Sequence, residues 1–321
     1  MYEMKLIIEL SGEHPDLPVA ELAAIGSVLG RYPQVAVMEC ERPEDAARLA
    51  LSHTVMEYLG ECDASGDEFS KLLDRLVIST KRTFAGRAKK IDGAVTDMSQ
   101  AELERAIGSH IKGKISLGNP GEEYRVIVSR DRCFFGRVLI RIDRSSYELR
   151  RPGDRPFFHP GVMMPRMARA LVNISCILPG EWLLDPFCGT GGTILESEMI
   201  GVNAVGNDVD RIMVAGTRKN VPGSNIIRAD STILPYRDNS FDAVVTDLPY
   251  GQSVIIIADN LEHLYTDALK EIRRVLKPGK RAVIVTHRDI RPVAKDIMKV
   301  EAFYEQRVHK SLTRRILVLV K

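Results

Sequence analysis

The first residues of this 321-residue chain contain no basic stretch followed by an apolar core, so no secretory leader is expected. Its longest strongly apolar runs, Ile174–Leu178 and Val254–Ala258, fall far short of the ~18 residues that cross a bilayer. The expectation is a cytoplasmic protein with no membrane contact. Five cysteines (Cys40, Cys62, Cys133, Cys176, Cys188) are scattered, with no CxxC pair and no Cys–His cluster at zinc spacing. Reduced thiols packed as small hydrophobes are expected, and no metal. The one glycine-rich strand–helix turn, at 185–192, has neither GxGxxG spacing nor the Lys-Ser/Thr of a phosphate loop. Internal repeats and low-complexity tracts are also missing.

The composition is that of a chain with a sizeable core: 45% hydrophobic, 27% charged. Its length accommodates two domains. The net charge of +2 conceals an asymmetry. Residues 71–155 hold 19 Lys/Arg against 11 Asp/Glu, a balance of +8, while the remainder holds 26 against 32, or −6. One basic third in a near-neutral chain fits a polyanion contact, and equally a solvated charged face.

Apolar periodicity and turn residues sketch the elements. Met4–Leu10 has a strand pattern and Val19–Leu29 a helical one introduced by Pro18. Residues 43–51 and 67–77 follow as two amphipathic helices, the second with Phe69, Leu72, Leu73 and Leu76 at helical spacing. Thr83–Lys90 is a basic strand. A helix over 99–112 starts at Ser99, with Glu102 completing a capping box. Tyr124–Ser129 and Cys133–Ile142 form a hairpin around Arg130-Asp131-Arg132. Residues 144–165, Pro- and Arg-rich without periodicity, suit a linker. Beyond it strands alternate with helices: Trp182–Pro186, Asn203–Asn207, Asn225–Arg228, Ala243–Thr246, Arg281–Thr286. That alternation predicts an α/β, mostly parallel sheet. The terminal strand Arg315–Val320, with no helix after it, suits antiparallel pairing.

Chemistry concentrates at the ends of those strands. Asp185-Pro186-Phe187-Cys188-Gly189-Thr190-Gly191-Gly192 leaves one strand and opens the helix Thr193–Met199. Its glycines allow a tight turn and close ligand approach. Asp185 would repel pyrophosphate but suits an amino-bearing ligand, such as the aminoacyl end of S-adenosylmethionine. Asp208 ends the next strand, 23 residues on, near the offset at which a carboxylate grips ribose hydroxyls. Asp230, after the third strand, could accept from an adenine amino group. The fourth strand ends in Asp247-Leu248-Pro249-Tyr250-Gly251. An exocyclic amine on a base is a poor nucleophile because its lone pair is delocalised into the ring. Acceptors that hold both amino hydrogens relieve this. Asp247 supplies one and a carbonyl of Leu248 or Pro249 another, while Tyr250 offers a ring on which a flipped base can stack.

Together these segments resemble the class I amino-methyltransferases with an Asn/Asp-Pro-Pro-Tyr motif; Leu248 replaces the first proline. Asp in first place leans toward guanine N2 rather than adenine N6. Thr83–Lys90 with Leu103–Ile111 is similar to the THUMP module of tRNA-modifying enzymes, apart from Gly86, where a branched apolar residue is usual. The resemblance extends to Arg155-Pro156-Phe157-Phe158-His159-Pro160 and Met164–Asn173, which look like the segment before the catalytic core in this group. It is nearest to the archaeal tRNA guanosine-10 N2-methyltransferases. It implies a ferredoxin-like/THUMP region over 1–145, a linker over 146–165, and over 166–321 a Rossmann-like methyltransferase domain with a seven-stranded sheet.

The resulting expectation is S-adenosylmethionine-dependent methylation of guanosine N2 in tRNA, at position 10. Asp247, Leu248, Pro249 and Tyr250 are catalytic. The cofactor is held by Asp185, Pro186, Phe187, Gly189, Thr190, Gly191, Asp208, Asp230 and His159. Arg87, Lys89, Lys90, Lys112 and Lys114 meet RNA phosphates. Whether a small partner protein is needed is open. His53, His110, His263, His287 and His309 are expected to be structural, and Cys188 unreactive. Other readings stay open: another tRNA or ribosomal position, adenine N6, a protein-glutamine methyltransferase, or a catalytically silent RNA-binding protein.

Overall fold

The structure, a computed structural model, describes residues 3–91, 93–250, 261–309 and 312–321. Gly251, the run Val254–Ala258 and the side chain of His309 lie outside the described residues. Two compact units divide the chain, Met1–Asp143 and Arg144–Lys321.

The first unit is one eight-stranded mixed sheet. Its strands are β1 (Met4–Leu10), β2 (Ser27–Tyr32), β3 (Val35–Cys40), β4 (Ser52–Asp63), β5 (Ser79–Lys90), β6 (Lys112–Ile115), β7 (Glu122–Ser129) and β8 (Arg132–Arg141), in the order β2-β3-β1-β4-β8-β7-β5-β6. Pairing is antiparallel except that β5 runs parallel to β6 and β7. Helices α1 (Leu17–Leu22), α2 (Gly66–Arg75) and α3 (Gln100–His110) complete it. The Ser99 capping box forms: Ser99 N donates to Glu102 Oε2 at 2.7 Å and Glu102 N to Ser99 Oγ at 3.2 Å. Phe69, Leu72 and Leu73 of α2 and Leu103 and Ile107 of α3 share one core with Phe84, Val126 and Phe135 of the sheet. At Gly86 a Cβ would stand 2.9 Å from the Ile107 side chain, so the glycine lets α3 lie close on β5.

Three helical expectations need correction here. The Val19–Leu29 helix stops at Leu22, and Ser27 onward joins the sheet beside β3. Tertiary pairing overrides the local pattern at Gly26, where a Cβ would lie 2.0 Å from the Glu39 carbonyl oxygen. The segment 43–51 is a 3-10 turn, Pro43–Arg48, and the one at 67–77 ends at Arg75.

The second unit opens with residues 144–164 in short turns, then α4 (Pro165–Ile174). Its strands are β9 (Trp182–Asp185), β10 (Asn203–Asp208), β11 (Asn225–Arg228), β12 (Phe241–Asp247), β13 (Leu276–Thr286), β14 (Lys299–His309) and β15 (Leu312–Val320). They form a seven-stranded sheet in the order β11-β10-β9-β12-β13-β15-β14, with β9–β13 parallel and β15 antiparallel to both its neighbours, β13 and β14. Helices α5 (Gly192–Glu198), α6 (Arg211–Asn220), α7 (Leu261–Val275) and α8 (Arg291–Ile297) connect the strands. This is the expected α/β, Rossmann-like architecture. The chain steps from β9 outward to β10 and β11, then returns to place β12 on the other side of β9. That reversal opens a crevice beyond the carboxyl ends of β9 and β12, where doubly wound sheets bind ligands.

Candidate cofactor and catalytic site

A cavity of about 410 Å³ fills that crevice. Its wall brings together His159, Asp185, Phe187, Gly189, Thr190, Asp208, Asp230, Asp247, Leu248, Pro249 and Tyr250. Pro186 and Gly191 are not on the wall. The Pro186 carbonyl accepts from Asn207 Nδ2 at 2.9 Å, and Gly191 turns the loop with φ of 81°, a conformation that favours glycine. The RNA-facing candidates belong to the first unit. Arg87, Lys89 and Lys90 line a separate hollow with Arg125, and Lys112 and Lys114 are exposed on β6. Lys89 is also paired with the buried Glu9 at 2.6 Å, as is Arg125 at 2.8 Å.

The four acids arrive by one device: each ends or directly follows a parallel strand. Asp185 is buried. Its Oδ1 accepts from Thr246 Oγ1 at 2.7 Å and from Phe187 N at 3.2 Å. Burial pushes its carboxyl up to about 7 against those hydrogen bonds, with nearby Asp247 adding to the rise. Asp208 accepts from Gly189 N at 3.1 Å and Asp210 N at 2.9 Å, so it also braces the glycine loop; burial raises its pKa too. Asp230, exposed, is oriented by Thr232, whose N and Oγ1 both donate to its Oδ1 at 2.8 Å. Asp247 accepts from the Tyr250 hydroxyl at 2.8 Å. Burial lifts its pKa to about 6, opposed by Arg314 and by that hydrogen bond.

The Asp247–Tyr250 turn is held from several sides. Leu248 N donates to the Val285 carbonyl at 2.8 Å, and the buried Leu248 side chain enters the core. Tyr265 of α7 donates its hydroxyl to the Pro249 carbonyl at 2.6 Å. The Tyr250 ring packs on His287, centroids 4.9 Å apart. These supports escape sequence reasoning. Tyr265 sits on an apolar helical face and reads as core, and His287, expected to be merely structural, carries no local signal of its place against Tyr250. Cys188 lines the cavity, but burial raises its thiol pKa well above the ordinary value, as suits an inert thiol.

Several features match an adenosine joined to a cationic amino-acid arm. Carboxylates stand at successive strand ends, a glycine turn lets a ligand approach, and the Thr190 hydroxyl is buried on the wall with no hydrogen-bond partner among the described residues. No helix among the described residues is long and apolar enough to cross a membrane.

Comparison with known proteins agrees. The family model for an RMKL-like methyltransferase domain matches residues 152–316. A tRNA (guanine(10)-N2)-dimethyltransferase of Methanothermobacter thermautotrophicus is 34% identical, covering 98% of this chain and 99% of its own. The enzyme of the same name from Methanocaldococcus jannaschii is 28% identical over 97% of this chain and 98% of its own. The crystal structure of TrmN from Thermus thermophilus shares the fold, with a TM-score of 0.52 and 21% identity over 99% of each chain. With a strand-end acid array, a matched catalytic domain and full-length likeness at this identity, the chain belongs to the archaeal tRNA (guanine(10)-N2)-dimethyltransferase family of RMKL-like methyltransferases.

Proposed function

We propose that this enzyme methylates the exocyclic N2 of guanosine 10 in tRNA, using S-adenosylmethionine, and that it adds two methyl groups in succession. The observation that carries the reading is the sharing of one cavity by Asp247, Leu248, Pro249 and Tyr250 with Asp185, Asp208 and Asp230. The names and full-length coverage of the relatives support the base, the atom and the position.

S-adenosylmethionine supplies an electrophilic methyl on a sulfonium. The protein's task is to make the guanine amine nucleophilic. Asp247 accepts one amino hydrogen and, as a carboxylate, takes the proton that leaves. Tyr250 donates to Asp247 Oδ1, so an entering amine either displaces that hydrogen bond or takes the other carboxylate oxygen. The turn offers a second acceptor in the Leu248 or Pro249 carbonyl, and Tyr265 fixes the turn's direction. Tyr250, backed by His287, gives the extruded base a stacking surface. Asp208 and Asp230 hold the adenosine, and Asp185 with His159 lines the approach to the amino-acid arm. The first unit, read as a THUMP-containing module, holds the tRNA through Arg87, Lys89, Lys90, Lys112 and Lys114.

The test is nucleoside mass spectrometry of unmodified tRNA treated with the enzyme and isotope-labelled S-adenosylmethionine, mapped to position. N2-methyl- and N2,N2-dimethylguanosine at position 10 are expected. Label on adenine, or on guanosine elsewhere, would refute the assignment.

A further inference from the structure

Arginine is seldom buried, because its charge loses water unless an anion compensates. Arg314 of β15 is only 7% exposed, and it stands behind the Asp247–Tyr250 turn. The register of the sheet puts it there. Asp247, at the end of β12, pairs with Val285 of β13, and Val285 pairs with Ile316 of β15. Register partners share one face of a sheet and alternate residues return to it, so Asp247, Ile316 and Arg314 have the same side. Because β15 runs antiparallel to β13, Arg314 lies beyond Ile316 toward the carboxyl ends of the parallel strands, where β12 releases the turn.

The Arg314 guanidinium is hydrogen-bonded to the Tyr250 hydroxyl, and its charge bears on both Tyr250 and Asp247. An arginine can only donate, so the hydroxyl oxygen accepts and directs its own proton to Asp247 Oδ1, 2.8 Å away. Packing on His287, with centroids 4.9 Å apart, restrains the same ring. Arg314 is not on the cavity wall; it reaches the cavity through Tyr250 and Asp247, which are. Asp247 is otherwise poorly placed to stay ionised. Burial works against its charge, and so does the buried Asp185 carboxyl nearby. Tyr265 of α7 also faces it, as a neutral phenol. Among the described groups that face Asp247, namely Asp185, Tyr250, Tyr265 and Arg314, the positive charge is that of Arg314.

We infer that Arg314 is a positioning residue for methyl transfer, which orients the Tyr250 hydroxyl and holds Asp247 as the carboxylate that accepts the amine hydrogen. With the Tyr250 proton fixed on Oδ1, the entering amine takes the other carboxylate oxygen. The inference rests on the methyltransferase reading above and deepens it, by naming what keeps the proposed acceptor ionised.

Two measurements on the full chain test it: the pH profile of kcat/KM for tRNA, and a carbon-13 NMR titration of the Asp247 carboxyl in the ligand-free protein, assigned with Asp247→Ala. An arginine beside a carboxylate lowers its pKa by about 1–3 pH units. In Arg314→Met the acid limb of the profile and the Asp247 titration should therefore both move up from about 6, by at least about one pH unit. The loss in kcat/KM should then be at least about fivefold greater at pH 6 than at pH 9. Arg314→Gln, polar but uncharged, should match it, and Arg314→Lys, which keeps a charge without the guanidinium fork, should shift both midpoints less. Affinity for S-adenosylhomocysteine should stay within a few-fold in all three. A loss equal at every pH, or an Asp247 titration that does not move, would overturn the inference and leave Arg314 a structural residue. An Asp247 titration that moves as expected, in a protein whose parent form transfers no methyl to tRNA, would instead overturn the methyltransferase reading.

Discussion

Asp247 carries the proposed chemistry, and its environment sets its pH range. Burial places its pKa near 6, so the carboxylate that accepts the amine hydrogen is lost as pH falls through that value. The kcat/KM for tRNA should therefore decline below about pH 6, and a profile flat to pH 5 would remove Asp247 as the proton acceptor. Asp247→Ala should abolish transfer yet leave S-adenosylhomocysteine affinity within a few-fold, since its proposed role is to hold the amine rather than the cofactor. Asp185 makes a different prediction. Its pKa is raised from 3.8 to about 7 by burial, so the folded protein holds it protonated only below about pH 7. The stability this contributes is complete below about pH 4 and is lost as pH rises to about 7. Asp185→Asn should raise the ligand-free melting temperature at pH 8, by on the order of a few kcal/mol in stability, and flatten its pH dependence between 5 and 8. Cofactor affinity should fall in the same variant. Calorimetry and a melting series at several pH values check both.

Among the elements, the segment before α4 has the most to explain. Residues 144–165 look like a linker because they lack periodicity and are rich in Pro and Arg. In the structure part of that segment is fastened to the catalytic unit, with Phe157 on Gly216 and Asn220 bonding to its backbone on both sides. Gly216→Val should push the Phe157 ring away, because a Cβ there already overlaps it. Overpacking of this kind costs about 1–3 kcal/mol. Cofactor affinity should drop with stability, and a variant of unchanged melting temperature and affinity would show the packing to be dispensable. Sequence periodicity locates β9 through β12 well because each is a short apolar run ending in a polar turn. It misses β2, β3, β4, β6 and β14. β2 is mostly exposed and β4 alternates poorly, so their strand identity comes from partners far along the chain.

At the scale of the whole molecule, the proposed RNA-facing lysines belong to the first unit and the acids of the cofactor cavity to the second. Lys89 is engaged by Glu9, which makes the exposed Lys112 and Lys114 the cleaner probes of RNA binding. Replacing both with alanine should weaken tRNA binding and reduce the slope of log K against log salt by up to about 2, roughly one for each phosphate no longer neutralised. An unchanged slope in a filter-binding or anisotropy titration would place the RNA on another surface. Cofactor binding, confined to the second unit, should not change.

The fold class, the acids at the strand ends and the Asp247–Tyr250 motif were all legible in the sequence. Each is written in residues close together along the chain: an apolar run, then a turn, then a carboxylate. Local sterics and hydrogen bonding suffice to specify such units. Only the tertiary structure decided that Tyr265 anchors Pro249, that His287 backs Tyr250, and that Asn220 ties the 155–160 segment to the glycine turn. The hydrogen bonds of Tyr265 to Pro249 and of Phe157 to Asn220 join residues 16 and 63 positions apart. No local pattern marks them, because they exist only once the core has brought distant segments within reach of one another.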